Sequence, residues 1–159
     1  MPTERHSKKY SSIYLIFVPM PQECPQSGKL LAENINLVPR PQRKSKSSEA
    51  LKKVNDNPTL IAAVANLFWS ERKVDKGRDW TERALLLDPD IGDIWAMYYS
   101  YETIHDPAKA AEVLARAVTQ EPRHGERWQR VAKDPTNAHQ GVAAIMKKVV
   151  EDMQINALP

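Results

Sequence analysis

The sequence has a single cysteine, Cys24, and only five glycines among 159 residues. One cysteine excludes an intrachain disulfide framework and a zinc site built from several thiolates of this chain, which fits a reducing compartment. The sequence has few glycines and no Asn-Gly or Asp-Gly pair, so it lacks the commonest signals of a β-hairpin. These absences predict a fold without disulfides and with little β-structure.

The sequence also lacks a long apolar run and a catalytic motif. Its longest strongly apolar stretch, residues 13–18, is far shorter than the roughly 20 residues of a bilayer-spanning helix. The four histidines form no i,i+4 pair or HExxH motif, and the chain has neither a Walker-type glycine loop nor a GxSxG motif. We therefore predict no membrane contact, no enzymatic activity, no metal, no cofactor and no small-molecule substrate.

Charge is distributed unevenly along the chain, whose formal net charge is +3. Residues 1–58 carry ten Lys or Arg and five Asp or Glu, whereas residues 59–159 carry thirteen and fifteen. Affinity for a nucleic-acid backbone scales with the number of phosphates that are neutralised. The nearly neutral body is therefore not expected to be a nucleic-acid-binding surface.

The chain contains an internal repeat of about 32 residues, a length typical of stacked helical repeats. Four prolines mark it at nearly constant spacing: Pro25, Pro58, Pro89 and Pro122. A large apolar residue lies six positions after each of these prolines. A second marker, an Arg-Ala pair, occurs twice, and its two copies are one repeat apart. The predicted repeat-core residues are Leu31, Val64, Trp95, Tyr98, Trp128, Ala84 and Ala117.

Apolar residues within each repeat recur at spacings of three and four, which predicts helices. The predicted helices cover residues 27–37, 47–55, 58–72, 74–87, 91–104, 107–120, 124–133 and 137–153. They make four antiparallel pairs, and stacked pairs of this kind form an all-α solenoid. We expect this array to span residues 22–154, between an unmatched, poorly ordered segment 1–21 and a tail 155–159. With no pair before it, the first pair is expected to expose Leu30, Leu31 or Ile35 unless residues 13–18 cover them.

Several short segments resemble known repeat proteins. Residues 95–102 (WAMYYSYE), followed by Ala117 and Pro122, are similar to a half-a-tetratricopeptide repeat. Five further segments resemble, in order, the C-terminal repeats of the pre-mRNA-processing factor 6 family: residues 23–28 (ECPQSG), 40–46 (RPQRKSK), 67–70 (LFWS), 92–96 (GDIWA) and 121–126 (EPRHGE). The resemblance covers about residues 22–150.

This resemblance implies a nuclear, non-catalytic scaffold of pre-mRNA splicing that bridges particles in the tri-snRNP. The implied partners are spliceosomal snRNP proteins. Proteins of the family are much longer, so the resemblance also implies a truncated form. The alternative is a tetratricopeptide-type adaptor that holds acidic peptides. Such an adaptor needs Lys or Arg on successive first helices, and residues 91–104 contain none.

Two features are candidate contact sites. Trp69 lies beside Phe68, off the apolar stripe of its helix, and either anchors a partner or packs on a neighbouring helix pair. Six cations in fourteen residues suit an import signal, an RNA contact or a solvated loop between helices. They are Arg40, Arg43, Lys44, Lys46, Lys52 and Lys53. An RNA contact is not expected to dominate, and it would weaken steeply with salt.

Overall fold

The computed structural model describes the backbone of residues 27–157 and the side chains of residues 27–154. In this part of the chain, eight α-helices and one 3₁₀ helix follow one another with short connections. They are α1 (Gly28–Leu37), α2 (Arg40–Lys53), α3 (Pro58–Ser70), α4 (Val74–Leu87), α5 (Gly92–His105), α6 (Pro107–Gln120), α7 (Glu126–Ala132), the 3₁₀ helix (Pro135–Asn137) and α8 (Val142–Ala157). The predicted all-α helical-repeat class is confirmed. The predictions for segment 1–21, Cys24 and Pro25 lie outside the described residues.

Local capping explains why α3 and α6 begin where the sequence predicts. Oδ1 of Asn57 accepts the N–H of Leu60 at 3.1 Å, and Oδ1 of Asp106 accepts the N–H of Lys109 at 3.3 Å. Each cap is followed by a proline in the first turn, where a missing N–H leaves no helical hydrogen bond unmade. Because both signals are local, they can be seen in the sequence.

Helix α2 begins at Arg40, so the basic cluster is helical and the predicted loop over residues 40–46 is wrong. Pro39 is the N-cap residue, and a proline also lies in the first turn, which is compatible with helix initiation. Serine hydroxyls donate to backbone carbonyls three or four residues back, within the helix. The buried residues of α2 are Ser47 and Ala50. The first two turns therefore lack the apolar periodicity that predicts a helix.

The chain divides into two compact units, Met1–Trp80 and Thr81–Pro159, and the division falls within α4. In unit 1, helices α1, α2 and α3 pack on one another. Their core contains Leu31, Ile35, Ala50, Leu60 and Val64. Leu31 is only 4% exposed and Ile35 only 1%. These two side chains are therefore covered, because they belong to the core shared with α3, whereas Leu30 is half-buried and residues 13–18 lie outside the described residues.

In unit 2, helix α5 packs against α6, α7 and α8. It is buried on several faces and has a centre rich in apolar and aromatic residues. Its buried residues are Gly92, Ile94, Trp95, Ala96, Met97, Tyr98 and Glu102. Because a helix that is apolar on all sides lies inside a protein, α5 is the central helix of this unit. The shorter α7 and the longer α8 also pack on each other.

The N-terminus of α7 is held by Asp93 of α5. Its Oδ1 accepts the N–H of Trp128 at 2.8 Å, and its Oδ2 accepts the N–H of Arg127 at 3.2 Å. Gly92 lies against the Trp128 ring, where an added Cβ would lie 2.1 Å from a ring carbon. A carboxylate and a glycine of one helix thus fix the start of another.

The C-terminal helices differ from the predicted boundaries. Asp134 accepts both the N–H and the hydroxyl of Thr136, which starts the 3₁₀ helix and ends the preceding segment. Helix α8 therefore begins at Val142 and not at residue 137. It continues to Ala157, beyond the predicted helix end at residue 153.

Candidate protein-binding groove

A hydrogen-bonded ion pair joins α4 and α6 within unit 2. The two terminal nitrogens of Arg116 donate to the two carboxylate oxygens of Glu82, at 2.6 and 2.9 Å. The Tyr98 hydroxyl donates to the same carboxylate at 3.0 Å. Bidentate arginine–carboxylate pairs are among the strongest hydrogen-bonded contacts in proteins and fix the orientation of both groups. Glu82 therefore links three helices.

Arg116 also lies over the ring of Trp95. Its guanidinium carbon is 5.2 Å from the ring centroid, within the range of a cation–π contact. The indole N–H donates to the carbonyl of Pro89 at 2.7 Å. Trp95 is 3% exposed, so its polar group needs a partner and this carbonyl supplies one. The side chains of this region are thus held in defined positions before any ligand binds.

The electrostatics of this network are set by its hydrogen bonds. Hydrogen bonding from Arg116 lowers the pKa of Glu82, against an opposing effect of burial. Burial, together with the neighbouring negative charge of Glu82, raises the pKa of Tyr98. At neutral pH Glu82 is therefore an anion and Tyr98 a neutral hydroxyl, which is the state in which the tyrosine can donate.

A groove of about 580 Å³ runs between the C-terminal half of α4 and α6. Trp95 lies at its base, and its walls combine apolar side chains with Glu82, Glu112 and Arg116. The apolar walls are formed by Leu85, Leu86, Pro89 and Ala115. Leu86 is 85% exposed, the highest value among the exposed large hydrophobic residues of the described chain. Apolar surface with a few fixed polar groups suits the binding of a protein segment.

The structure places the sequence-predicted core residues in the interior. Leu31, Val64, Trp95, Tyr98, Trp128, Ala84 and Ala117 are all at most 4% exposed. Trp95 and Trp128 both lie near the starts of their helices, α5 and α7. Trp95 is the residue of this set that also lines the groove.

Trp69 is 2% exposed, so it is a core residue of unit 1 and not an exposed anchor for a partner. Gly77 lies against its indole ring, where a Cβ would lie 2.8 Å from a ring carbon. The partner-contact interpretation of Trp69 does not fit this position. The spacing within α3 placed it off the main apolar stripe, but the first turn of α4 covers it there.

The six cations of the basic cluster lie on one helix but have different surroundings. Nε and Nη2 of Arg43 donate to the carbonyls of Val38 and Asn36, at 3.1 and 3.0 Å, and so close the end of α1. Lys46 and Lys53 each lie 3.2 Å from a carboxylate oxygen of Glu49. The other three, Arg40, Lys44 and Lys52, are exposed. The linear cluster is therefore not a single binding surface.

The groove itself was not predicted from the sequence. Arg116 belongs to the recurring Arg-Ala marker, and Glu82 lies 34 residues before it, a separation close to one repeat. That separation is the signal that could have paired them. No such signal indicates the exposure of Leu86, because both neighbours are also leucines. Leu85 is 4% exposed and Leu87 is 42% exposed, against 85% for Leu86.

Within residues 27–157, every helix is too short or too polar to span a lipid bilayer. Residues 27–154 contain no group of three or more His, Cys, Asp or Glu side chains that could hold a metal ion.

The fold and the groove define an α-helical repeat protein. No protein-family model matches the chain. It is 48% identical over 114 residues to Protein STABILIZED1 of Arabidopsis thaliana and 46% identical over 111 residues to human Pre-mRNA-processing factor 6. It is also 39% identical over 118 residues to Pre-mRNA-splicing factor prp1 of Schizosaccharomyces pombe.

These matches cover 69% to 74% of this chain but only 11% to 13% of the relatives. The chain thus spans about one eighth of the length of the curated relatives that it matches. It is a partial homologue of the pre-mRNA-processing factor 6 proteins, and the resemblance inferred from its residues is confirmed.

Proposed function

We propose that this chain is a non-catalytic scaffold segment of pre-mRNA splicing that binds spliceosomal snRNP proteins in the nucleus. The observation that carries the proposal is the 46% identity over 111 residues to human Pre-mRNA-processing factor 6. A helical repeat suits this role, because it presents extended helix faces to other proteins. The same homology supports the proposed nuclear location, since splicing takes place there.

The groove between α4 and α6 is the surface we assign to this contact. Its occupant is a segment of a spliceosomal protein with a large apolar side chain, which would pack on Leu86 and Ala115. The carboxylate of Glu112 and the hydroxyl of Thr119 lie on the same walls and can accept hydrogen bonds from the segment's polar groups. Because Arg116 is already held by Glu82, the groove does not offer a free cation to an acidic peptide.

The alternative of an adaptor for acidic peptides gains no support from these contacts. Helix α5, the first helix of its pair, carries no Lys or Arg. With Glu82 neutralised by Arg116, the carboxylate of Glu112 leaves the groove with a negative charge that disfavours an acidic tail.

The experiment is co-purification from nuclear extract with the tagged full chain. We expect the unaltered chain to bring down tri-snRNP proteins and Leu86→Glu to lose them. Ile104→Glu is the matched control, because Ile104 is 73% exposed in the same unit but does not line the groove. Both variants should remain helical by circular dichroism, since both side chains are exposed.

Each outcome bears on a separate part of the proposal. Recovery of no splicing protein above a tag-only control would contradict the scaffold function. Equal recovery by the unaltered chain and Leu86→Glu would contradict the groove as the contact surface. A fluorescent fusion that stays outside the nucleus would contradict the proposed location.

A further inference from the structure

The two units differ strongly in charge. Residues 27–80 carry eleven Lys or Arg and six Asp or Glu, whereas residues 81–154 carry nine and twelve. The described part of unit 1 is therefore basic, with a net charge of +5, and that of unit 2 is acidic, with a net charge of −3. A division of the sequence at residue 58 counts the cations near the start of α4 with the nearly neutral body, although these cations belong to unit 1.

The helix packing of unit 1 gathers several of these cations at one end. Helices α2 and α3 are joined by four residues and pack on each other, so they run antiparallel. The start of α2 then lies beside the end of α3, where the chain turns into α4. Arg40 and Lys44 stand one turn apart at the start of α2, and Arg72 and Lys73 form the turn. All four are exposed.

Contacts at this end show how close the groups are. Nζ of Lys73 is 2.8 Å from a carboxylate oxygen of Glu71. Hydrogen bonding from Lys73, with a smaller contribution from the positive charge of Lys44, lowers the pKa of Glu71. The ammonium groups of Lys73 and Lys76 lie 5.9 and 5.8 Å from the centroid of the Phe68 ring. Lys44 of α2, Lys73 of the turn and Lys76 of α4 therefore lie near one another.

We propose that this basic corner, formed by Arg40, Lys44, Arg72, Lys73 and Lys76, binds the phosphate backbone of single-stranded RNA. Two carboxylates, Glu71 and Asp75, lie within the same stretch of chain, so the corner keeps an excess of three positive charges. Residues four apart on a helix have Cβ atoms about 5–6 Å apart, which is comparable to the separation of successive phosphates along an extended strand. The inference does not depend on the scaffold proposal, since it concerns a different unit.

RNA is favoured over an acidic protein because Phe68, the aromatic side chain at the corner, is partly buried against the core of unit 1 and is not an exposed anchor. Protein interfaces depend on buried apolar or aromatic side chains near their centres. Among the residues whose side chains are described, the exposed large hydrophobics are Leu86, Leu87, Ile104 and Val118, and all four lie in unit 2. The basic corner exposes charged groups, which suits a partner recognised through its own charge.

The test is fluorescence anisotropy of the full chain with a labelled oligouridine of about 20 nucleotides, from about 50 to 300 mM KCl. Each phosphate neutralised on a single strand steepens the salt slope by about 0.7, which corresponds to about fivefold in affinity at 0.1 M salt. We expect the double variant Lys44→Gln/Lys76→Gln, which removes two exposed cations of the corner, to bind about 25-fold more weakly at 0.1 M KCl. Its salt slope should be shallower by about 1.4.

The matched control is Lys133→Gln/Lys147→Gln, which removes the same charge from exposed positions of unit 2. This control should bind within about twofold of the unaltered chain. Absence of binding at about 50 mM KCl, or equal weakening by both double variants, would overturn the proposal. A poly-glutamate peptide of equal charge that displaces the RNA at lower concentration would overturn it as well, in favour of an acidic protein partner.

Discussion

The carboxylate of Glu82 accepts hydrogen bonds from both terminal nitrogens of Arg116, 34 residues further along the chain. The pair connects the second helices of two successive pairs, α4 and α6, at a separation close to one repeat. It also holds the guanidinium over Trp95 at the base of the groove. The ion pair therefore stabilises unit 2 and shapes its candidate binding surface at the same time.

A double-mutant cycle with Glu82→Ala and Arg116→Ala measures this pair directly. Their side chains are 36% and 39% exposed, so solvent screens the attraction and we expect a coupling of about 0.5–1 kcal/mol in urea unfolding. The exposed pair Lys46 and Glu49 is the control, with an expected coupling of about 0.2–0.5 kcal/mol. A coupling for Glu82 and Arg116 no larger than that of the control would contradict the prediction.

The same pair predicts a dependence of stability on pH. The pKa of Glu82 in the folded state lies below its ordinary value of 4.5, because Arg116 donates to the charged form. The stabilisation is therefore complete above the ordinary pKa and is lost as the pH falls through the folded-state pKa. We expect the difference in unfolding free energy between the unaltered chain and Glu82→Gln to shrink from about pH 5 downwards. A difference that stays constant or grows as the pH falls would argue against this assignment.

Gly92→Ala should destabilise unit 2. The new Cβ would lie 2.1 Å from a carbon of the Trp128 ring, which is buried and cannot move away freely. Overpacking of this kind costs about 1–3 kcal/mol. Gly141→Ala is the control, because no atom lies within 4 Å of the added Cβ there. Thermal unfolding of the two variants should separate them, and equal melting temperatures would show that the Trp128 contact is not tight.

Asp93→Ala should loosen the start of α7. Two backbone N–H groups, of Arg127 and Trp128, lose their acceptor, at an expected cost of about 1–2 kcal/mol. Hydrogen exchange should accelerate at these two amides. Asp75→Ala removes a carboxylate whose side chain is 99% exposed and should change stability by less than about 0.5 kcal/mol. Unchanged exchange at Arg127 and Trp128 would refute the capping role.

Trp69→Ala should cost about 3–5 kcal/mol, since a large side chain that is 2% exposed leaves a cavity when it is removed. Trp69→Phe should cost less, because most of the volume is retained. Chemical denaturation distinguishes these values from the small change expected at an exposed partner anchor. A loss of stability below about 1 kcal/mol would restore the partner-contact interpretation of Trp69.

The groove shows why a site can escape sequence analysis even when its parts are recognised. Trp95 and Arg116 fall at repeat positions and Glu82 lies about one repeat before Arg116, yet this spacing does not specify that the three side chains meet. Trp95 could be predicted as a core residue from its apolar spacing. Its hydrogen bond to the carbonyl of Pro89 and its contact with Arg116 depend on how α4, α5 and α6 pack.

The sequence by itself determined the helical class, the internal repeat and the starts of α3 and α6. These features arise from contacts between residues close together in the chain, namely apolar groups three or four positions apart and caps followed by proline. Tertiary structure alone decided that α2 begins at Arg40, that Trp69 is buried and that the basic cluster is divided among different surroundings. Such outcomes depend on groups brought together from distant parts of the chain. No local pattern specifies which side chain will cover another, which will pair with another, or which will stay exposed.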